Sequence, residues 1–412
     1  MAAQLIGPFS QVVTLRHLPL RGALRDDQLE VVTHGALLLE DNKIVAVDAF
    51  ETLWPEAKKQ KATVYEIAGA SVALPGMIDA HTHSCFAGTR ASDYALRNAG
   101  ASYQEIARAG GGIWDTVQKT RQQTQHELAL TTAARATRLL REGVTTLEIK
   151  SGYGLSVEDE LKMLRAIRDA QRATASDCVP TCLAAHAKPH DFEGDHEHYL
   201  QWMGEVLLPM VKSESLATRV DAFVDEVAFL PAIAKNFLAR AKAMGFDITL
   251  HADQFSTGGS ALAIELGAVS ADHLEASSDG EIDALAKSDV VAVALPGASL
   301  GLGCAFAPAR KLLDAGAVVA IASDWNPGSA PMGDLLMQSS ILGAFQKLSN
   351  AEVWSAITFR AAHALRLHDR GMLAVGANAD FISFPVADYR EITYWQGKLK
   401  PSIVWKNGKR VD

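Results

Sequence analysis

Between about residue 75 and residue 370, short apolar runs alternate with longer amphipathic stretches, and this alternation constrains the fold most strongly. Eight runs rich in Val, Ile, Leu and Ala span residues 77–80, 144–149, 179–185, 222–224, 248–251, 268–273, 290–295 and 318–323. Helix-like stretches between them include residues 127–142, 156–174, 230–244 and 279–287. The pattern predicts an α/β fold, a (β/α)8 TIM barrel, more readily than an open doubly wound sheet. No Gly-x-Gly-x-x-Gly motif follows an early strand, which weakens a dinucleotide-binding alternative.

Both ends of the chain show a different sequence pattern, with short strand-like runs joined by turns. Residues 35–40 and 43–47 flank Asp41-Asn42, and residues 402–406 and 409–411 flank Asn407-Gly408, a strong hairpin signal. One helix is expected in the first segment, at about residues 50–59. We therefore predict a small β-sandwich built from both chain termini. Its parts are residues 1–73 and 371–412, and the barrel is residues 74–370.

Charge and hydropathy limit the partners of the chain. A net charge of -9 argues against nucleic acid or an anionic membrane surface as the main partner. No apolar run reaches the roughly 18–20 residues of a membrane helix, and the first residues do not resemble a signal peptide. The four cysteines fit packed, reduced thiols better than half of a metal site. These features favour a cytoplasmic protein that acts on a small molecule.

Polar side chains follow the apolar runs at the end where a barrel of this kind carries its active site. His81 and His83 are two positions apart, so in a strand their imidazoles point to one face and form half of a zinc or iron site. The other residues that close the runs are Glu148 and Lys150, His186, Asp225 and Glu226, His251, His273, and Asp324. Taken singly, Asp324 is also compatible with a turn and Asp272 with a helix cap. The joint pattern at corresponding strand ends favours one metal-dependent site.

The chain resembles a known family in these same positions. The His81-Thr82-His83 pair, His251, His273 and Asp324 occur in the order of the amidohydrolase superfamily. Longer blocks are similar to the imidazolonepropionase family, the hydrolases of histidine degradation. These blocks are residues 86–90, 100–107, 110–113, 148–155, 185–187, 251–254, 270–275 and 324–329. The Lys-Ser-Gly-Tyr-Gly block at 150–154 is the most specific of them, whereas the His-x-His pair identifies only the superfamily.

The resemblance implies one divalent metal ion, zinc or iron, held by His81, His83, His251 and Asp324. Such an ion keeps a position for water and lowers the pKa of that water toward neutrality. A nearby acid/base must then move protons to the leaving nitrogen. His273 is expected to polarise the substrate carbonyl, Asp324 to share in proton transfer, and Gln254 to position groups. Some family members carry Glu at the place of Gln254, which leaves the identity of the base open.

The family's substrate is 4-imidazolone-5-propanoate, which water opens to N-formimidoyl-L-glutamate. Arg90 matches the residue that holds the substrate carboxylate, a role that suits a guanidinium. Tyr153 and His186 match groups that hydrogen-bond the ring and tail, and Tyr103 is a weaker candidate for a further hydroxyl donor. The loop that carries Asn326, Gly328 and Ser329 is expected to hold the product-like end. A homodimer is the default expectation for such an enzyme.

Two segments depart from the family pattern and keep other substrates open. Residues 299–303 read Ser-Leu-Gly-Leu-Gly where aromatic residues are usual, and Trp325 is larger than expected. Either one change refills the volume left by the other, or the pocket admits a different ring. The alternatives are a related ring hydrolase or deaminase, for which Arg90 is the discriminating residue, and a metal-binding sensor without catalysis.

Overall fold

The computed structural model describes residues 3–101, 105 and 110–411. The first strands are β1 (Ala3–Val13), β2 (Val31–Glu40), β3 (Lys43–Ala49), β4 (Thr63–Glu66) and β5 (Val72–Pro75). The middle strands are β6 (Met77–Asp79), β7 (Val144–Lys150), β8 (Asp177–Ala185), β9 (Arg219–Val224), β10 (Asp247–Ala252), β11 (Ser270–His273), β12 (Val291–Ala294) and β13 (Val319–Ile321). The last strands are β14 (Phe381–Phe384), β15 (Ile403–Lys406) and β16 (Lys409–Val411).

The helices lie mostly between the middle strands. Before β8 they are Phe50–Lys59, Ala91–Asn98, Ile113–Gln122, Gln125–Arg141 and Val157–Ala173. Between β8 and β13 they are His196–Trp202, Leu208–Ser213, Pro231–Ala243, Gly259–Leu266, Asp279–Lys287, Pro296–Leu302 and Ala309–Ala315. After β13 they are Leu335–Gln346, Asn350–Ala356, Phe359–Ala364 and Arg390–Tyr394. A 3-10 turn (Asp26–Gln28) and a π-helical turn (Met203–Leu207) complete the set that the described residues form.

Strands β6 to β13 pair in parallel and in sequence order, so they make the barrel. Helix Gln125–Arg141 is one outer helix with a defined start, where Thr124 and Glu127 form a capping box. Its buried face, with Leu128 and Leu140, then packs against the barrel. The predicted (β/α)8 barrel is confirmed.

The first and last barrel strands meet at the end where the candidate site lies. The backbone N–H of Asp324 donates to the carbonyl of His81 at 3.0 Å, and the N–H of His83 donates to the carbonyl of Trp325 at 2.9 Å. The closure of the barrel therefore brings the segment that follows β13 directly beside the His-x-His segment.

The two ends of the chain form a separate sheet, as predicted. Its order is β16-β15-β14-β5-β1-β2-β3, with β4 paired to β1. Lys406 and Arg370 both form ion pairs with Asp177 at the start of β8, which ties the C-terminal segment to the barrel. The exact domain boundaries at 73/74 and 370/371 stay a prediction.

Over the residues that the structure describes, no helix combines the length and hydropathy needed to cross a membrane.

Candidate active site

Three imidazoles and one carboxylate converge at the C-terminal mouth of the barrel. The Nε2 atom of His83 lies 3.2 Å from the Nε2 atoms of His81 and His251. Oδ1 of Asp324 lies 3.5 Å from Nε2 of His81 and 3.4 Å from Nε2 of His83. Ligands about 2.0–2.1 Å from a tetrahedral zinc ion would lie about 3.3–3.4 Å from each other. The ligand atoms of the three imidazoles lie within 4.8 Å of one another, and Asp324 lies beside two of them, so these separations fit ligands of one metal ion.

The chemistry of the donor set also fits a cation. Nδ1 of His81 is hydrogen-bonded to Asp272 at 2.7 Å, and Nδ1 of His251 lies 2.9 Å from Asp221. Because a carboxylate accepts, Nδ1 of His81 carries the hydrogen and its Nε2 presents a lone pair to this point, and the nearby carboxylate of Asp221 favours the same tautomer of His251. Burial holds the pKa of His81 and His251 well below the ordinary value, so both imidazoles are neutral. Neutral imidazoles whose Nε2 atoms converge in this way form a donor set that suits a cation.

Asp324 and His273 are held in a backbone conformation that is unfavourable for residues other than glycine. Their φ angles are 51° and 88°. Burial opposes ionisation of Asp324, but contacts with His81 and His83 outweigh it and keep its pKa well below the ordinary value. Burial likewise lowers the pKa of His273, but Glu275, whose carboxylate is 3.4 Å from Nδ1, outweighs burial and leaves that pKa raised. The mouth thus holds an ionised carboxylate beside an imidazole that can carry a proton.

The loop after Asp324 is organised by the amide of Asn326. Its Nδ2 donates to Oδ2 of Asp324 at 2.9 Å and to Oγ of Ser329 at 2.9 Å. Its Oδ1 accepts from the backbone N–H of Gly328 at 2.7 Å and of Ser329 at 2.8 Å. Asn326 therefore fixes the carboxylate from the side opposite His81 and His83 and shapes the loop at the same time.

Arg90 reaches this loop from the other side of the mouth. Its Nε donates to Oδ2 of Asp93 at 2.7 Å, and the same oxygen accepts the backbone N–H of Gly112 at 2.9 Å. A Cβ placed on Gly328 would lie 2.6 Å from Nη1 of Arg90, so the guanidinium rests against the glycine backbone. The Nη edge is thereby fixed beside the Asn326-to-Ser329 loop.

Tyr153 and His186 form an aromatic wall beside the histidines. The ring of His186 stacks on His83 with 5.1 Å between centroids and lies 5.4 Å from the ring of Tyr153. Nδ1 of His186 donates to the carbonyl of Gly152 at 2.9 Å, which leaves Nε2 as an acceptor. Burial lowers the pKa of His186 to about 3 and raises the pKa of Tyr153, so the wall offers a neutral acceptor and a neutral hydroxyl.

The Tyr153 loop has a buried anchor that sequence reasoning missed. Glu160 accepts the backbone N–H groups of Gly152 at 3.1 Å and of Gly154 and Leu155 at 2.8 Å. The residue reads in the sequence as an ordinary acid in the first turn of helix Val157–Ala173. The sequence feature that indicates this role is the glycine-rich loop immediately before the helix, because its backbone N–H groups need an acceptor once they are buried.

The remaining predicted residues are placed as follows. Gln254 is half-buried, two residues past the end of β10. Tyr103 lies outside the described residues. Asp225, which closes β9, accepts backbone N–H groups of Phe255 and Ser256 and so shapes the neighbouring loop.

The two departures from the family pattern have different neighbours. The ring of Trp325 lies under the guanidinium of Arg138 and donates to the carbonyl of Pro331 at 3.1 Å. On the 299–303 segment, a Cβ on Gly301 would lie 1.6 Å from the carbonyl oxygen of Ser329. A glycine at 301 therefore permits close contact with the backbone of Ser329. Different neighbours argue against the expectation that Trp325 simply refills a volume left by the other segment.

Asp221 and Asp272, which hold His251 and His81, were also missed. The sequence interpretation began the fourth run at residue 222, whereas β9 begins at Arg219 and includes Asp221. Asp272, for which a helix cap was the simpler interpretation, instead lies within β11 and bonds to His81. An aspartate inside a buried strand was the available signal, because such a charge requires a buried partner.

Solved structures with similar folds include a triazine hydrolase variant, with a TM-score of 0.71 and 18% identity. The alignment covers 100% of this chain and 94% of that one. An adenosine deaminase from Xanthomonas campestris with bound zinc gives a TM-score of 0.69 at 19% identity, covering 99% of this chain and 92% of that one. At these identities the likeness shows the fold alone.

Sequence relatives are more similar. An imidazolonepropionase from Bdellovibrio bacteriovorus is 41% identical, over 94% of this chain and 91% of the relative. One from Herpetosiphon aurantiacus is 39% identical, over 100% and 97%. One from Bacillus cereus is 40% identical, over 92% and 89%. The model of the amidohydrolase family matches residues 72–411. The chain therefore belongs to the amidohydrolase family, and within it to the imidazolonepropionases.

Proposed function

We propose that this enzyme hydrolyses 4-imidazolone-5-propanoate to N-formimidoyl-L-glutamate. The oxygen of water bonds to the ring carbonyl carbon, the ring carbon–nitrogen bond breaks, and the nitrogen takes a proton. Relatives at 39–41% identity that carry the name imidazolonepropionase support this reaction. The observation that carries it is the convergence of three imidazoles and Asp324 opposite Arg90.

A divalent ion is assigned to His81, His83, His251 and Asp324. When bound, the ion lowers the pKa of a water molecule toward neutrality and polarises the carbonyl group. Three imidazoles and one carboxylate suit zinc and iron alike, and we propose one of these two metals. The orientation of His81 by Asp272 supports the assignment, because it directs Nε2 toward the shared point.

Proton transfer is assigned to His273 and Asp324. His273 lies beside the metal ligands, with its ring centroid 5.8 Å from that of His81 and 5.3 Å from that of His251. Glu275 favours its charged form, so His273 can donate to the carbonyl oxygen as negative charge develops there. Oδ2 of Asp324 faces Asn326 rather than the imidazoles, and we assign this carboxylate a share in proton transfer to the leaving nitrogen. Gln254 does not titrate and is assigned to positioning.

Binding of the substrate is assigned to the two sides of the mouth. The Nη groups of Arg90 hold the propanoate carboxylate beside Gly328 and Ser329, a two-pronged contact that lysine cannot reproduce. On the other side, the hydroxyl of Tyr153 and Nε2 of His186 bond the ring. In its neutral form His186 accepts an N–H, which an imidazolone ring can provide.

We further propose a cytoplasmic homodimer, the commonest symmetric assembly of such enzymes. The net charge of -9 supports a small-molecule partner rather than nucleic acid or an anionic membrane. Light scattering of the purified enzyme at several concentrations tests the dimer.

The test of the reaction is turnover of 4-imidazolone-5-propanoate by purified enzyme, with the product identified by mass. A panel of hydantoins and purines without a flexible carboxylate is assayed in parallel. The proposal expects the imidazolone to be preferred by at least about 100-fold in kcat/KM, and expects R90A to erase most of that preference. Preference for a purine or an unsubstituted ring, unchanged in R90A, would favour the related hydrolase or deaminase instead.

A further inference from the structure

Lys150 is a completely buried lysine at the C-terminal end of β7, surrounded by acidic groups. Its Nζ lies 2.7 Å from Oε2 of Glu148 and 2.8 Å from Oδ2 of Asp221, and Oδ2 of Asp272 is 3.9 Å away. All four side chains are at most 1% exposed. Burying a charge in this way is costly in free energy, so we expect this lysine to have a specific role.

Two of the three carboxylates contact metal-ligand histidines. Oδ2 of Asp272 is hydrogen-bonded to Nδ1 of His81 at 2.7 Å. Oδ2 of Asp221 lies 2.9 Å from Nδ1 of His251, and its Oδ1 accepts the backbone N–H of His251 at 3.2 Å. The ammonium of Lys150 therefore lies between the two carboxylates that set the directions of two imidazoles on different strands.

The third carboxylate anchors the lysine from the other side. Oε1 of Glu148 accepts the hydroxyl of Thr181 at 2.5 Å and lies 3.5 Å from Nε of Arg219. Glu148 is thus fixed by the next two barrel strands, and it holds the ammonium at the centre of the group. Without the ammonium, three buried carboxylates would face one another, with Arg219 as a nearby cation on the side of Glu148.

We propose that Lys150 is a positioning residue for the metal centre, because it ties together the two aspartates that orient His81 and His251. This inference rests on the metal assignment made above. Removing the ammonium lets Asp221 and Asp272 move apart. The Nε2 atoms of His81 and His251 then no longer point to the same position. Loss of an outer partner of this kind typically weakens metal binding by about 10- to 100-fold.

The experiment measures the affinity of wild type and K150M for Zn²⁺ by competition with a coloured chelator. The visible absorption of the Co²⁺-substituted proteins reports ligand geometry independently of activity. K406M is the matched control, because Lys406 is 3% exposed and bridges Asp177 and Asp380 in the same way, outside the site. We expect K150M to bind Zn²⁺ about 10- to 100-fold more weakly and to change the Co²⁺ spectrum, whereas K406M matches wild type in both.

A double-mutant cycle separates positioning from a general loss of structure. If Lys150 acts through Asp272, the losses of affinity in K150M and D272N will not add in the double variant. Should K150M fail to fold, K150Q takes its place, since its amide keeps N–H donors while removing the charge. Zn²⁺ affinity within threefold of wild type in the folded variant, or additive losses, would overturn the role of Lys150. Absence of Zn²⁺ and Fe²⁺ binding by wild type would instead overturn the proposed metal centre itself.

Discussion

The guanidinium of Arg90 rests on the backbone of Gly328, so closely that a Cβ there would lie 2.6 Å from Nη1. This contact joins the segment after the metal-binding pair to the loop after Asp324. It gives the pocket a fixed distance between the group assigned to the substrate carboxylate and the proposed metal.

The variant G328A tests that contact. The added methyl group must displace the Arg90 side chain, so we expect KM to rise about 10-fold while the free energy of unfolding changes by less than about 1 kcal/mol. Gly280, whose nearest neighbour to an added Cβ is 3.8 Å away, supplies the control G280A. The measurement is the KM of both variants by steady-state kinetics. A KM of G328A equal to that of G280A would contradict the assigned position of Arg90.

Removing the Arg90 side chain should weaken substrate binding without damaging the metal centre. A hydrogen bond to a charged group contributes about 1.5–3 kcal/mol, so we expect R90A to lower kcat/KM by about 10- to 100-fold, mostly through KM. R90K should recover little, because an ammonium lacks the two-pronged geometry. Metal content measured on the same samples should stay at the wild-type value. A loss of metal together with activity would show that Arg90 acts on the fold of the mouth.

The buried carboxylate of Glu160 should matter to both stability and binding. E160A leaves the N–H groups of Gly152, Gly154 and Leu155 without their acceptor. Because each unsatisfied buried donor costs about 1–3 kcal/mol, we expect a loss of at least about 3 kcal/mol in denaturant unfolding, with a raised KM from the displaced Tyr153. The control E158A removes an exposed acid of the same helix and should change stability by less than about 0.5 kcal/mol. If E160A keeps the wild-type KM, the Tyr153 loop does not contribute to substrate binding.

The barrel was predictable because its strands are short, apolar and regularly spaced, and because parallel strands bring their C-terminal ends together. His81, His83 and His251 could be assigned to one mouth on that basis alone. Lys150 could be placed at the same mouth as a residue that closes its run, but its contacts with Asp221 and Asp272 could not be predicted, since pairing across a barrel depends on register and on which side chains point inward. Asn326 is a further example within one loop. Its turn could be predicted from the sequence, but its hydrogen bond to Oδ2 of Asp324 could not.

Asn326 should therefore affect catalysis more than a loop residue usually does. N326A removes the donor to Asp324 and the acceptor for Gly328 and Ser329, so we expect kcat/KM to fall by about 100-fold. N350A is the control, since Asn350 also bonds through both ends of its amide, to Asp26 and Thr393, away from the site. We expect N350A to lose stability and keep kcat/KM. Comparable kinetic losses in the two variants would mean that general destabilisation explains the effect.

The central claim is that one divalent ion, held by His81, His83, His251 and Asp324, is required for hydrolysis of the imidazolone. The most direct measurement is a titration of chelator-treated apoenzyme with Zn²⁺ or Fe²⁺, following bound metal and turnover together. The account predicts no turnover without metal, a linear rise that ends at one ion per chain, and no rise in H251A. Full turnover by protein shown by elemental analysis to be metal-free would contradict it.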